Sequence, residues 1–194
     1  MNVIYGTPAD LSSWMDLVER VRWNFPGLET PEKLAEHRNT VLRFMEDHRA
    51  VCVKEQGYVI GVLLFSIKHN MICCLAVAPE HRRRGIASLL LTEALSRLDR
   101  SRDITVTTFR EEDDKGNAPR SLYEHFGFRA GRLFRENDYP VQEFILLANH
   151  SQNTGVEYGK EIELRTALAY AAHNFHVGLA HHVGAADADG SSVH

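Results

Sequence analysis

The stretch Leu75-Ala76-Val77-Ala78-Pro79-Glu80-His81-Arg82-Arg83-Arg84-Gly85-Ile86-Ala87 decides the fold. The apolar run 71–78 reads as a buried strand and Pro79-Glu80 as a turn. Leu90, Leu91, Ala94, Leu95 and Leu98 then fall on one face of a helix over 88–98. Strand, turn and a basic, glycine-containing helix start make a place for an anion. Unpaired backbone N–H groups point outward at a helix N-terminus, and the positive end of the helix dipole lies there. Gly85 has no Cβ to block close approach, Ala87 keeps the next turn slim, and the arginines add charge-assisted hydrogen bonds. Taken alone, such a start also fits a surface helix with solvated arginines.

Working outward, residues 3–5 make a first strand, stopped by Gly6 and Pro8. Asp10 can cap a helix carrying Leu11, Trp14, Leu17, Val18 and Val21, with Pro26-Gly27 ending it. Thr30 as N-cap before Pro31 starts a second helix that runs to about Asp47. Residues 50–54 and 58–67 read as strands joined at Gln56-Gly57, and His69-Asn70 turns into the strand at Met71. A β-branched strand follows over 104–109, then a loop carrying Glu111-Glu112-Asp113-Asp114. Strands over 128–134 and 142–147 close the sheet as an antiparallel pair. The expected class is α/β, with a mixed sheet of about seven strands flanked by helices.

The bulk numbers narrow the field. With 44% hydrophobic and 25% charged residues, the chain of 194 residues has the make-up of an ordinary globular domain plus an appendage. A net charge of −4 argues against non-specific nucleic-acid binding, so no nucleic-acid partner is expected. Cys52, Cys73 and Cys74 are odd in number, and the adjacent pair points to opposite faces of a strand, which suits buried thiols better than a disulfide framework. No charged-then-apolar leader follows Met1 and no apolar run approaches a membrane span. A cytoplasmic location with no membrane partner is the expectation.

A second motif follows the first. Asn117, then Ser121-Leu122-Tyr123-Glu124-His125-Phe126-Gly127-Phe128, reads as a short helix ending at a glycine and running into another strand. Together, the Arg-x-x-Gly-x-Ala block and the Asn…Leu-Tyr-x-x-x-Gly-Phe block resemble the GNAT superfamily of acetyl-CoA-dependent N-acetyltransferases. The resemblance covers residues 1–148 and implies a GNAT domain with acetyl-CoA as cosubstrate. It assigns the coenzyme to Leu75, Ala76 and Val77 on the strand, to Arg82, Arg83, Arg84, Gly85, Ile86 and Ala87 at the helix start, and to Asn117. In this family the strand splays from its neighbour, which would free the N–H groups of Leu75 and Val77 for the coenzyme arm and the acetyl carbonyl. Tyr123 would protonate the departing thiolate, since a phenol stays protonated at neutral pH. Each assignment has a plainer counterpart: a buried strand, a core tyrosine, a loop asparagine making a local turn.

The acceptor side is less legible. Many relatives carry a glutamate on the strand that here reads Met71-Ile72-Cys73-Cys74, and this chain has none. His69, Glu111 and Glu112 are candidate bases by position only, and the acidic run 111–114 is either solvated surface or an attraction for a cationic amine. The expected reaction is acetyl transfer to a primary amine, with a small molecule favoured over a protein or peptide as the acceptor. The alternative is a catalytically idle acyl-CoA-binding sensor or interaction module.

Residues 149–194 form a separate C-terminal extension in this reading. Thr154-Gly155-Val156-Glu157 resembles a capping box, and Leu164, Leu168, Ala171, Phe175 and Leu179 make an amphipathic stripe before a tail without core residues. The stripe should pack on its own domain or on a second copy of the chain, as a homodimer. His173 and His176 share a helical face and His181-His182 follow. Neither a cysteine nor a convincing carboxylate completes a ligand set, so no metal is expected.

Overall fold

The computed structural model describes residues 1–136 and 138–149; the expectations for the C-terminal extension lie outside the described residues. In chain order the elements are β1 (Val3–Tyr5), α1 (Leu11–Val21), α2 (Pro31–Glu46), β2 (Ala50–Glu55), β3 (Tyr58–Ser66), β4 (Met71–Val77), α3 (Ile86–Arg97), β5 (Ile104–Phe109), α4 (Asn117–His125), β6 (Arg129–Glu136) and β7 (Tyr139–Leu146). The strands form one sheet of seven in the order β1-β2-β3-β4-β5-β7-β6. Every neighbouring pair is antiparallel except β4 and β5, which run parallel. The α/β class and the seven mixed strands agree with the sequence reading.

Both faces of the central strands are covered. One face carries the main core, where Ile86, Leu90, Leu91 and Ala94 of α3 meet Val51, Val53, Leu63, Phe65 and Ile72 of the sheet. A Cβ at Gly61 of β3 would lie 2.5 Å from Ile86 Cγ2, so the glycine lets the first turn of α3 sit directly on the sheet. From α1 come Leu11, Trp14, Leu17, Val18 and Val21, all buried at helical spacing, and α2 adds Val41, Phe44 and Met45. Farther along, β5 and β7 alternate over residues 104–107 and 143–146. Ile104, Val106, Phe144 and Leu146 are buried, whereas Thr105, Thr107, Glu143 and Ile145 on the other face are only half-buried.

Three boundaries differ from the sequence reading. Asp10 does not cap α1 with its side chain; it accepts from the Thr7 N–H and hydroxyl, both at 2.9 Å, and pairs with Lys54, because the chain already turns over Pro8–Asp10. Ahead of Pro26, α1 ends at Val21 and tightens into a 3-10 turn over Arg22–Asn24. Strand β7 begins three residues earlier than expected, at Tyr139, despite Pro140. Its last pairing with β5 is Phe109↔Val141, so the missing proline N–H is not needed there. The second helix, by contrast, starts as read: Thr30 Oγ accepts from the Lys33 N–H at 3.3 Å. No helix among the described residues is long and apolar enough to cross a membrane.

Candidate functional site

The two parallel strands at the centre of the sheet separate almost as soon as they meet. Strands β4 and β5 pair only at Met71↔Thr105 and Ile72↔Val106. Beyond that point Cys73, Cys74 and Leu75 are only partly buried, although they stand in the middle of a seven-stranded sheet. On its other side β4 stays paired with β3 through Gly61↔Val77, with a register shift after Leu64 that leaves Cys73 as the extra residue of a bulge. The Ala78 N–H donates to the Ile60 carbonyl at 2.9 Å, which fixes the alternation of the whole strand. Ala76 therefore faces β3, while the N–H groups of Leu75 and Val77 face the opening toward β5. Arg82 Nε, donating to the Val77 carbonyl at 3.3 Å, marks the same side. Ala76 is buried on β4.

The chain leaves β4 through a 3-10 turn over Pro79–His81 and curls twice into left-handed backbone, at Arg83 (φ 61°) and Gly85 (φ 76°), before α3 begins. A Cβ at Gly85 would meet nothing within 4 Å, so glycine is required there by backbone conformation rather than by crowding. No side chain caps α3, so the N–H groups that follow Gly85 at Ile86 and Ala87 point outward. Ile86 anchors the turn with its side chain fully buried. Arg82, Arg83 and Arg84 are exposed. Arg84 lies 2.6 Å from Glu55 Oε1 at the end of β2, and His81 Nε2 lies 2.9 Å from the other oxygen. Arg84 and then His81 hold the Glu55 carboxyl down at about 2. The sequence reading missed this acidic neighbour, since nothing in the spacing of residues 55 and 84 links them.

The second motif is a helix terminator with a tyrosine built into it. Gly127, at φ 85°, follows the end of α4; its N–H donates to the Glu124 carbonyl at 2.9 Å, and the Phe128 N–H to the Tyr123 carbonyl at 3.0 Å. These two bonds are the Schellman pair, and the apolar contact that accompanies them is Tyr123 against Phe128, with ring centroids 5.6 Å apart. The Tyr-x-x-x-Gly-Phe spacing thus locks the tyrosine ring, which also packs 6.2 Å from Phe144. Tyr123 is 4% exposed. Burial, with the Cys74 thiol close by, pushes its phenol well above the usual range, so it keeps its proton. Burial likewise pushes the Cys74 thiol up to about 12 and the Cys73 thiol higher still, which removes both as thiolate nucleophiles. Asn117 opens α4 at the surface, with Nδ2 3.5 Å from Asp114 Oδ1.

The three candidate bases lie in loops rather than on the strands that flank the opening. His69 lies in the β3–β4 turn, before the paired start of β4. Glu111 is exposed, 3.9 Å from Arg120, and Glu112 is exposed on the same loop. A carboxylate not singled out from sequence, Glu143, is the one on the half-buried face of β7. The available signal was an acid inside the apolar run Val141-Gln142-Glu143-Phe144-Ile145-Leu146, where charge is costly unless used or paired.

A mixed sheet opened between its two parallel strands, with a glycine-capped helix start at the mouth, is the arrangement that the GNAT resemblance implies. Residues 46–130 match the family model of the acetyltransferase (GNAT) domain. Among solved structures it is similar to a GNAT-family acetyltransferase from Bacillus cereus ATCC 10987, with a TM-score of 0.60 at 23% identity over 77% of this chain and 98% of that one. It is also similar to the PaiA N-acetyltransferase from Thermoplasma acidophilum in complex with coenzyme A, with a TM-score of 0.55 at 15% identity over 73% and 96%. A ribosomal-protein-alanine N-acetyltransferase from Brucella melitensis gives 0.57 at 16% identity over 76% and 99%. No curated protein matches the chain in sequence.

Proposed function

We propose that this protein moves an acetyl group from acetyl-CoA to the primary amine of a small molecule, in a reducing cytoplasm where Cys52, Cys73 and Cys74 stay free thiols. The observation that carries the reading is the opening between β4 and β5, lined by the N–H groups of Leu75 and Val77. These donors suit the amide-bearing arm of coenzyme A, and one of them suits the acetyl carbonyl, where preorganised N–H groups are worth about 10²–10³ in rate. The outward N–H groups after Gly85, with Arg82 and Arg83 beside them, suit the pyrophosphate. Tyr123, buried with the Cys74 thiol close by, would keep its proton and give it to the departing thiolate. Asn117, at the exposed start of α4, is the proposed contact to the far part of the coenzyme arm. A small cationic acceptor is supported by the acidic run 111–114, whose Glu111, Glu112 and Asp114 are all exposed.

The second reading, an idle acyl-CoA-binding module, draws on the absence of a carboxylate from β4. One experiment separates them: thiol release from acetyl-CoA across a panel of small amines and peptides, run beside the melting shift that acetyl-CoA produces. Thiol release with an amine supports the enzyme. A melting shift with no release from any amine supports the module.

A further inference from the structure

Glu143 stands level with the opening. Its register partner on β5 is Thr107, the first residue past the last β4 pairing at Ile72↔Val106. By the alternation of β5 and β7, Glu143 and Thr107 share the half-buried face, away from the core that holds Val106 and Phe144. Among the described residues, α1 packs chiefly on β3 and β4, and α2 on β2.

The neighbouring strand lies beside the carboxylate. Strand β6 shifts register between Ala130 and Leu133, and the glycine in that bulge lies over Glu143. A Cβ at Gly131 would sit 3.1 Å from Ile145 Cδ1 and 3.4 Å from Glu143 Oε2, so β6 passes close beside the carboxylate. Arg132 Nε approaches the same oxygen to 3.5 Å, beyond the roughly 2.7–2.9 Å of a charge-assisted hydrogen bond. The pair holds the carboxylate in place at this distance, and the Glu143 side chain is only 14% exposed.

We propose that Glu143 is the base that takes the first proton from the acceptor ammonium beside the β4–β5 opening. The proposal rests on the acetyl-transfer reading above. Burial raises the Glu143 carboxyl above its ordinary 4.5, and Arg132 on β6, the charged group facing it, opposes that rise. The other neighbours facing it, Thr107 on β5, Gly131 on β6 and Ile145 on β7, carry no charge. A carboxylate so placed binds a cation and accepts its proton better than a solvated one.

The step balances as follows. Glu143 takes one proton from the ammonium, leaving a neutral amine whose nitrogen pair forms the new C–N bond as the C–S bond breaks. Tyr123 gives its proton to the thiolate, and the proton then lost by the amide nitrogen returns to the Tyr123 oxygen. Glu143 passes its proton to water.

The test compares wild type, Glu143→Gln and Glu143→Asp by thiol release with acetyl-CoA, using benzylamine and spermidine as alkylammonium acceptors. Hydroxylamine, neutral at pH 7, serves as an acceptor that needs no base. Glu143→Gln should lose roughly 10²–10⁴ in kcat/KM on the alkylamines and far less on hydroxylamine, while keeping the acetyl-CoA melting shift. The acid limb of the pH profile, where wild-type activity rises as Glu143 deprotonates, should vanish in Glu143→Gln and persist in Glu143→Asp. Because charge is costly at this site, Glu143→Gln should melt no lower than wild type at pH 7; a structural ion pair would predict the opposite. Should Glu143→Gln fail to fold, the proposal is overturned. Full alkylamine turnover with an unchanged acid limb in Glu143→Gln would overturn the assignment and leave acetyl transfer standing. No thiol release by wild type from any acceptor would overturn acetyl transfer, and this proposal with it.

Discussion

Replacing Tyr123 with phenylalanine removes one oxygen from a ring that the surrounding structure holds in place. The ring packs against Phe128 and Phe144, and the backbone around it is tied by the Glu124–Gly127 and Tyr123–Phe128 hydrogen bonds. None of these contacts uses the hydroxyl, so fold and acetyl-CoA affinity should stay within a factor of about two, the ordinary scale of a mild substitution. Loss of an acid catalyst costs roughly 10²–10⁴ in rate, or about 2.7–5.5 kcal/mol of barrier. The low end applies here, because a coenzyme thiol resembles a cysteine, with pKa about 8.5, and leaves fairly well as the anion. The expected drop is therefore about 10². It should appear equally in kcat and kcat/KM, as for an interaction made only in the transition state. Because burial raises the phenol pKa, Tyr123 keeps its proton across the neutral range and should contribute no basic limb there. The assay is thiol release at saturating acetyl-CoA with a true amine acceptor, from pH 6 to about pH 9, a span that stays below the phenol's ordinary pKa. Wild-type turnover by Tyr123→Phe, with chemistry shown to be rate-limiting, would refute the role given to the hydroxyl.

Two further perturbations address the mouth of the opening. A Gly61→Ala substitution sets a Cβ 2.5 Å from Ile86 Cγ2, so α3 must shift; the melting temperature should fall, by about 1–3 kcal/mol of overpacking, and acetyl-CoA should bind more weakly. A Glu55→Gln substitution frees Arg84 and removes a negative charge beside the phosphate loop, so acetyl-CoA affinity, measured by calorimetry, should rise a few-fold at low salt and converge with wild type at about 1 M salt. Glu55 also carries a sign for stability. Its folded pKa, about 2, lies below the ordinary 4.5, so its contribution is present above 4.5 and is lost as pH falls toward 2. Acid titrations of Glu55→Gln should show a correspondingly shallower decline over that window, a small effect because the pair is exposed.

What could be read from the sequence was local. The strand–turn–helix around residues 75–87 and the terminator at Tyr123–Phe128 are written in contiguous residues, because glycines at left-handed positions and apolar spacing carry their own signal. The direction in which the Leu75 and Val77 N–H groups point is also local, once Ala78 is seen to pair with Ile60. The separation of β4 from β5 is not local. It depends on which residues of two distant strands stop pairing, and the family resemblance rather than the residues supplied that expectation. The Glu55–Arg84 pair and the placement of Glu143 across from Thr107 arise from sheet order, with β7 inserted between β5 and β6. Asp10 went astray for a related reason: its partner Lys54 comes from another strand, and the capping rule weighs only neighbours in sequence.

The proposed binding of acetyl-CoA in the opening between β4 and β5 can be watched at the two backbone donors themselves. In a ¹⁵N–¹H titration of the full chain with acetyl-CoA, the largest amide shifts should fall on Leu75 and Val77 and on Ile86 and Ala87 after the Gly85 cap. Ala76 and Ala78, whose N–H groups face β3, should move less. Gly85→Glu, which sets a negative charge at the phosphate position, should abolish the whole pattern while leaving the apo spectrum folded. Saturable binding with unperturbed Leu75 and Val77 amides, or an unchanged pattern in Gly85→Glu, would contradict the account.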